Sequence, residues 1–253
     1  MIEIFRKKNG LLIRELYFAP GIISSTANRD IDMYVQCKIP IADSKPFYSL
    51  KIDLLQDEEA IYNSMSKSFR YELRRADKDG IDIDIGLCNK DQDLMPLYSF
   101  YNDFAAYRGI EKTNVIKMEA FKNAGNLTMA VARRSHDNLM IAVFFEIHDD
   151  YQARSYYGAT LPRIENHNID KQVIGRTSKL MQWKLICHVK NDGVHTYDLG
   201  GISRNTKLKG VDNFKYGFGG VDSEEYNATI GVSSLGKLAS KTSNLLGYFN
   251  KVA

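Results

Sequence analysis

The stretch QVIGRTSKLMQWKLICHVKNDGVHTYDLGG, Gln172 to Gly201, reads as loop, helix, turn and buried strand. Asp170 stands where a helix N-cap belongs, and Gly175 is the one helix breaker that follows. Leu180, Trp183, Ile186 and Cys187 recur at helical spacing, so one face is apolar. Gly193 is placed to end the helix in the left-handed conformation. HTYDLGG then makes a short strand that stops in two glycines.

The start of that helix carries chemistry. Gln172, Gly175 and Thr177 stand at the spacing Q-x-x-G-x-G/A, with Thr177 in place of the small last residue. A helix N-terminus has unsatisfied N–H groups and a positive dipole end, which suit a pyrophosphate. Gly175 lets backbone approach an oxygen closely, and Arg176 adds charge. The same six residues also fit a helix that merely contains a glycine.

The segment before it, YQARSYYGAT, Tyr151 to Thr160, is rich in strand formers and runs into Pro162. Strand, loop, phosphate-binding helix and strand is the order that GNAT acyltransferases use to hold coenzyme A. The stretches YDLGGI and GVDNFKYGFGG, and the earlier SKSFRYELRRADKDG from Ser66 to Gly80, resemble the Fem family of peptidoglycan bridge aminoacyltransferases and their relatives. Those proteins are built from GNAT-type domains. The resemblance runs from about Ser66 to Gly220, in order. It implies an α+β, GNAT-type acyl-CoA N-acyltransferase fold: a central, mostly antiparallel mixed sheet flanked by helices. Residues 1–65 would be a partial N-terminal β-rich GNAT-like unit. Residues 66–253 would be the transferase domain with a C-terminal helix. The chain is shorter than the usual Fem enzymes and has no long heptad segment for a helical arm.

Composition narrows the partners. Among 253 residues, 44% are apolar, enough for a real core. A formal charge of +3 does not call for nucleic acid, though it suits an anionic small molecule. Cys37, Cys88 and Cys187 form no C-x-x-C pair, so neither zinc nor a disulfide framework is indicated, and no metal is expected. The N-terminus does not read as a signal peptide, and no segment approaches the roughly 20 apolar residues of a membrane span. The expected setting is cytoplasmic.

Along the rest of the chain, MIEIF and LLIREL flank Asn9-Gly10, a hairpin signal. Asp32–Ile41 and Tyr48–Leu54 read as strands. DEEAIYNSMSKSFRYELRRADKDG reads as one helix capped by Asp57, with an apolar row of Ile61, Met65, Phe69 and Leu73 and a basic side that includes Arg70 and Arg74. That side is either a solvated face or a contact for phosphate, whose oxygens arginine forks match. Ile81–Cys88 alternates as a strand. Asp91–Gly109 is a helix whose aromatic stripe reads as core, with Tyr101, Tyr107 and Arg108 as possible lining of an acceptor pocket. NLTMAVARR, LMIAVFFEIHDD and YQARSYYGAT follow as a three-strand meander. Glu146 is a carboxylate in a very apolar strand; burial would raise its pKa and suit it to act as a base, unless it simply pairs with an arginine or sits at an edge. Glu224–Ser233 is the last strand, and an amphipathic tail helix carries Leu235, Leu238, Leu245, Leu246 and Phe249 to pack on the body or on a second subunit.

The resemblance assigns roles. An amine attacks a thioester carbonyl while both sit in one groove, and alignment supplies much of the rate. Backbone of Tyr156, Tyr157 and Gly158 would pair with the pantetheine arm and supply the oxyanion donor. Gln172, Gly175, Arg176 and Thr177 would take the pyrophosphate. Asp198 or Glu146 would receive the amine proton, although Asp198 equally suits tying down the loop after it. Tyr197 or Tyr216 would protonate the thiolate. Lys215 matches the lysine of the Fem motif F-K-x-G-F-G-G, and Phe214, Gly217, Gly219 and Gly220 match it too. Arg70, Arg74, Tyr101 and Arg108 would bind the acceptor. The expected activity is an acyl-coenzyme-A-dependent N-acyltransferase acting on an amino sugar, nucleotide-linked, for a surface polysaccharide. The alternatives are a transfer-RNA-dependent aminoacyltransferase of cell-wall bridges and a non-catalytic GNAT-like binding module. The low charge argues against a large RNA surface.

Overall fold

A computed structural model describes residues 1–41, 43–162, 168–203 and 209–246; side chains 209 and 242–246 are outside the description. The expected tail-helix contacts of Leu245, Leu246 and Phe249 therefore lie outside the described residues. In chain order the first strands are β1 (Ile2–Lys8), β2 (Leu11–Tyr17), β3 (Ile31–Cys37) and β4 (Lys45–Asp53). Helices α1 (Glu58–Ser64) and α2 (Lys67–Ala76) lead to β5 (Ile81–Leu87). Next come α3 (Met95–Arg108), α4 (Val115–Asn123), β6 (Leu127–Arg134), β7 (Met140–His148) and β8 (Gln152–Thr160). The chain continues with α5 (Lys171–Asn191), β9 (Thr196–Gly201), α6 (Lys209–Tyr216), β10 (Val221–Gly231) and α7 (Ser234–Leu246).

The chain divides into two units, each discontinuous in sequence: 1–49 with 201–203 and 222–253, and 50–200 with 204–221. In the first, Asn9 and Gly10 both take positive φ, 51° and 81°, and close the expected β1–β2 hairpin. β2 runs parallel to β3, and β10 pairs antiparallel with β3. Arg14 is fully buried there and forks Asp32 at 2.7 and 2.8 Å, so its charge is paired as burial demands.

The second unit holds the strand order β4-β9-β8-β7-β6-β5. β6 to β8 form the expected three-strand antiparallel meander, and β5 pairs antiparallel with β6 at its edge. Seven consecutive residues of β7, Ile141 to Ile147, are buried because helices cover both faces of the sheet. Ala142 and Phe144 pack with Met181 and Leu185 of α5. On the other face Phe145 meets Tyr98 of α3. Such two-sided cover explains why β7 reads as a nearly continuous apolar run.

Two elements differ from the sequence expectation. The helix expected from Asp57 breaks at Met65, whose ψ of 153° is extended, and Ser66 caps α2 by accepting from Phe69 N. Ser64 Oγ donates to Ile61 O at 2.7 Å, so both serines bond the backbone in ways that end one helix and start another. The stretch after Gly201, polar and glycine-rich up to Phe218 and given no helix by the sequence reading, contains α6.

Candidate active site

β8 and β9 diverge, and the divergence has a local cause. Their parallel ladder covers Gln152–Arg154 against Thr196–Asp198. The Asp198 carboxylate then accepts from Gly200 N at 2.7 Å, capturing the amide that would extend the ladder. Gly200 takes φ 85°, which turns the strand away. The side-chain bond is the loop tie that the sequence allowed for Asp198.

A cleft of about 740 Å³ opens at this divergence. Ser155, Gly158 and Thr160 of β8 line it, with Leu199 of β9, Ser178 and Gln182 of α5, and Phe214 and Lys215 of α6. Phe104, Tyr107 and Arg108 of α3 complete the wall, so the cleft draws on helices from both faces of the sheet. A Cβ built on Gly200 would stand 3.5 Å from Lys215 Nζ and 3.4 Å from Ser155 O. Burial pulls the Lys215 ammonium down to about 8, and Arg154 adds to the fall, while Asp198 and Asp212 oppose it.

Lys215 is held there by two of the stretches that carry the Fem-like pattern. Phe69 of α2 lies 5.1 Å from Phe218 and 6.0 Å from Phe214, ring centroid to centroid. Ser66 N donates to Gly217 O at 3.0 Å. A Cβ on Gly219 would strike Ser64 O, and one on Gly220 would come within 2.7 Å of Lys51 O. The glycines are close-approach positions that bring the end of α6 against α1, α2 and β4.

A second cleft, of about 440 Å³, sits at the start of α5. Gln172, Gly175 and Arg176 line it with Lys171, Lys179, Tyr71, Glu72 and Arg75. Lys171, Gly175, Ser178 and Gln182 recur at helical spacing, so one strip of α5 joins this cleft to the larger one. Asp170 caps the helix as expected, accepting from Gln172 N at 2.8 Å. Two side chains expected to meet phosphate are engaged elsewhere. Arg176 forks Asp79 at 2.6 and 2.8 Å, and the Thr177 hydroxyl, fully buried, donates to Val173 O at 2.9 Å.

The remaining sequence candidates scatter. Glu146 is fully buried behind the cleft wall, where it accepts from the Tyr197 hydroxyl at 2.8 Å; no arginine pairs with it among the described residues. Burial pushes its pKa up to about 8. Tyr197 is also fully buried, and its pKa is raised well above the usual value by burial and the neighbouring Glu146. Tyr216 is exposed and outside the cleft lining. The Tyr156 and Tyr157 rings point to the α3–α4 side, toward Phe121 and Tyr101 respectively. Tyr101 itself is core, packed with Ala105 and Ala159. Arg70 donates to Asn63 and Arg74 to Tyr62, so neither reaches the cleft. Gln182 lines the cleft and was not singled out from the sequence: a glutamine inside an apolar helix gives no spacing signal.

Residues 63–216, more than half of the chain, match the family model described as an acetyltransferase (GNAT) domain. The chain belongs to the GNAT acetyltransferase family. Solved structures similar to this GNAT protein include FemX, with a TM-score of 0.58, 11% identity and 79% of this chain covered. The chain spans 63% of that FemX chain. L-PGS from Bacillus licheniformis gives a TM-score of 0.53 at 12% identity, covering 97% of this chain and 85% of the other. The C-terminal domain of a putative lysylphosphatidylglycerol synthetase from Agrobacterium fabrum gives 0.52 at 13% identity, covering 84% and 72%. These likenesses concern the fold. No curated protein matches the sequence. The GNAT-type α+β architecture expected from the sequence is the one observed. Among the described residues no helix is long and apolar enough to cross a membrane, and no group of three or more His, Cys, Asp or Glu could hold a metal ion.

Proposed function

We propose that this GNAT protein transfers an acyl group from a coenzyme A thioester to an amine held in the cleft between β8 and β9. One observation carries the reading: the ladder ends at Arg154 and Asp198, and the space so opened is lined by Gly158, Gln182 and Lys215 from three different elements. The thioester arm lies along β8, whose backbone near Gly158 supplies a donor for the developing oxyanion. The amine nitrogen bonds to the acyl carbon, the carbon–sulfur bond breaks, and the amine proton leaves as the thiolate gains one. Lys215 meets the donor's carbonyl or phosphate oxygens.

The tip of α5 supports an anionic donor through backbone and Lys171 rather than through Arg176 and Thr177, whose side chains are occupied. The nucleotide-linked amino sugar rested on Arg70 and Arg74, which do not line the cleft. The acceptor is therefore assigned as a primary amine, without a sugar or a polysaccharide pathway.

Aminoacyl transfer is the second reading, favoured by the fold shared with FemX and with the lysylphosphatidylglycerol synthetase domain. Donor binding separates the two. Coenzyme A at about 100 times its dissociation constant should stabilise the protein by roughly 2.7 kcal/mol. No shift with coenzyme A, together with stabilisation by charged transfer RNA, would replace the first reading by the second. Free thiol release from acetyl-coenzyme A in the presence of amines tests the transfer itself.

A further inference from the structure

A polar chain runs from the cleft into the core. Gln182 of α5, a lining residue only 2% exposed, donates through Nε2 to the Tyr197 hydroxyl at 2.7 Å. Tyr197 of β9 donates in turn to Glu146 Oε2 of β7 at 2.8 Å. Glu146 Oε1 has no hydrogen-bond partner among the described residues. Three elements thus each commit a buried polar side chain to one line, and its outer end is an amide in the cleft wall. Burying such groups costs free energy that an apolar core would not incur.

The chain fixes the amide. A glutamine side chain has three rotatable bonds, and anchoring Nε2 to Tyr197 leaves Oε1 as an acceptor held in place. A fixed neutral acceptor in an acyl-transfer cleft suits one task. It can take a hydrogen bond from an amine N–H without favouring the protonated ammonium, as a carboxylate would. Only the neutral amine has the lone pair needed for attack.

We propose that the amide oxygen of Gln182 holds the acceptor amine, and that Tyr197 and Glu146 are positioning residues that pin this amide. The inference rests on the acyl-transfer reading and names how that same cleft takes its acceptor. Gln182→Met keeps the volume and removes the amide. It raises the KM for the amine about tenfold, the size of one lost hydrogen bond, and leaves the KM for the thioester unchanged. Tyr197→Phe raises the amine KM in the wild-type background and adds nothing in the Gln182→Met background, because it acts through Gln182. Should Tyr197→Phe unfold the protein, Gln182→Met carries the test.

A readout independent of turnover accompanies the kinetics. The side-chain amide NMR signal of Gln182, identified by its loss in Gln182→Met, is followed while glucosamine, lysine and spermidine are added in turn. Movement of the signal by at least one of these amines supports the assignment. If the wild-type enzyme acylates an amine while that signal stays still and Gln182→Met keeps its amine KM, the assignment falls and acyl transfer stands. If no amine is acylated and coenzyme A does not bind, the acyl-transfer reading falls. A signal unmoved by all three amines overturns the present inference in either case.

Discussion

The ring of Phe69 fills the space in which a side chain on Gly217 would begin. The two residues belong to two of the stretches that carry the Fem-like resemblance, and their contact sets the end of α6, where Lys215 faces the cleft. Gly217→Ala is expected to destabilise the protein by about 1–3 kcal/mol through overpacking and to lower turnover as Lys215 shifts. Chemical denaturation and kcat measured together check this. A variant of normal stability and normal turnover would show that the contact leaves Lys215 where it is.

Lys215 titrates where an assay can follow it. Its ammonium is drawn from 10.5 to about 8, so the cation is present below that pH and lost above it. If the charge meets the donor, kcat/KM falls as pH rises through about 8. Lys215→Arg moves that limb upward because arginine keeps its charge. Lys215→Ala lowers kcat/KM at every pH by on the order of 100-fold. Glu146 titrates in the same region, so the comparison is made in a Glu146→Gln background. An unchanged profile in Lys215→Arg would remove the lysine charge from the reaction.

Glu146 gives a stability prediction with a definite sign. Its pKa rises on folding from 4.5 to about 8, so the folded state binds the extra proton. The contribution is full below pH 4.5 and is lost as pH rises through about 8. At roughly 1.4 kcal/mol per unit, several kcal/mol are at stake. Glu146→Gln, which cannot ionise, should therefore gain stability relative to wild type between pH 5 and pH 9. Parallel denaturation curves for the two proteins across that range would show that the carboxyl does not carry this shift.

At the start of α5, two neighbouring substitutions should separate. Gly175→Asp puts a carboxylate in the cleft lined by Lys171 and Gln172 and should weaken coenzyme A binding by at least tenfold. Arg176→Ala leaves Asp79 without its fork and should lower stability by about 1–3 kcal/mol while changing donor affinity little. Calorimetric titration of both variants decides the matter. Reversed effects would put Arg176 at the phosphates.

The meander, the β1–β2 hairpin and the capped α5 were legible because each is written in local spacing: alternation, Asn9-Gly10, Asp170. The break at Met65 was hidden because the apolar row Ile61, Met65, Phe69 continues across it while serine hydroxyls redirect the backbone. α6 was masked by the glycines after it, although Val211, Phe214 and Phe218 are spaced as on a helix. The cleft was legible in part. The lysine and the glycines came from a recognisable pattern, whereas Gln182 gains meaning only when β7 and β9 bring Glu146 and Tyr197 behind it. Arg70 and Arg74 misled because a basic helix face looks the same whether it meets a ligand, solvent or a neighbouring loop.

Asp198 takes the amide of Gly200 and so leaves a seam in the sheet unstitched. Among the described residues the ladder between β8 and β9 goes no further than Arg154 and Asp198. On the acyl-transfer reading proposed above, the amides of the thioester arm would lie along that edge as a temporary extra strand. Filling the seam should slow hydrogen–deuterium exchange along the outer half of β8 more than in the meander beside it.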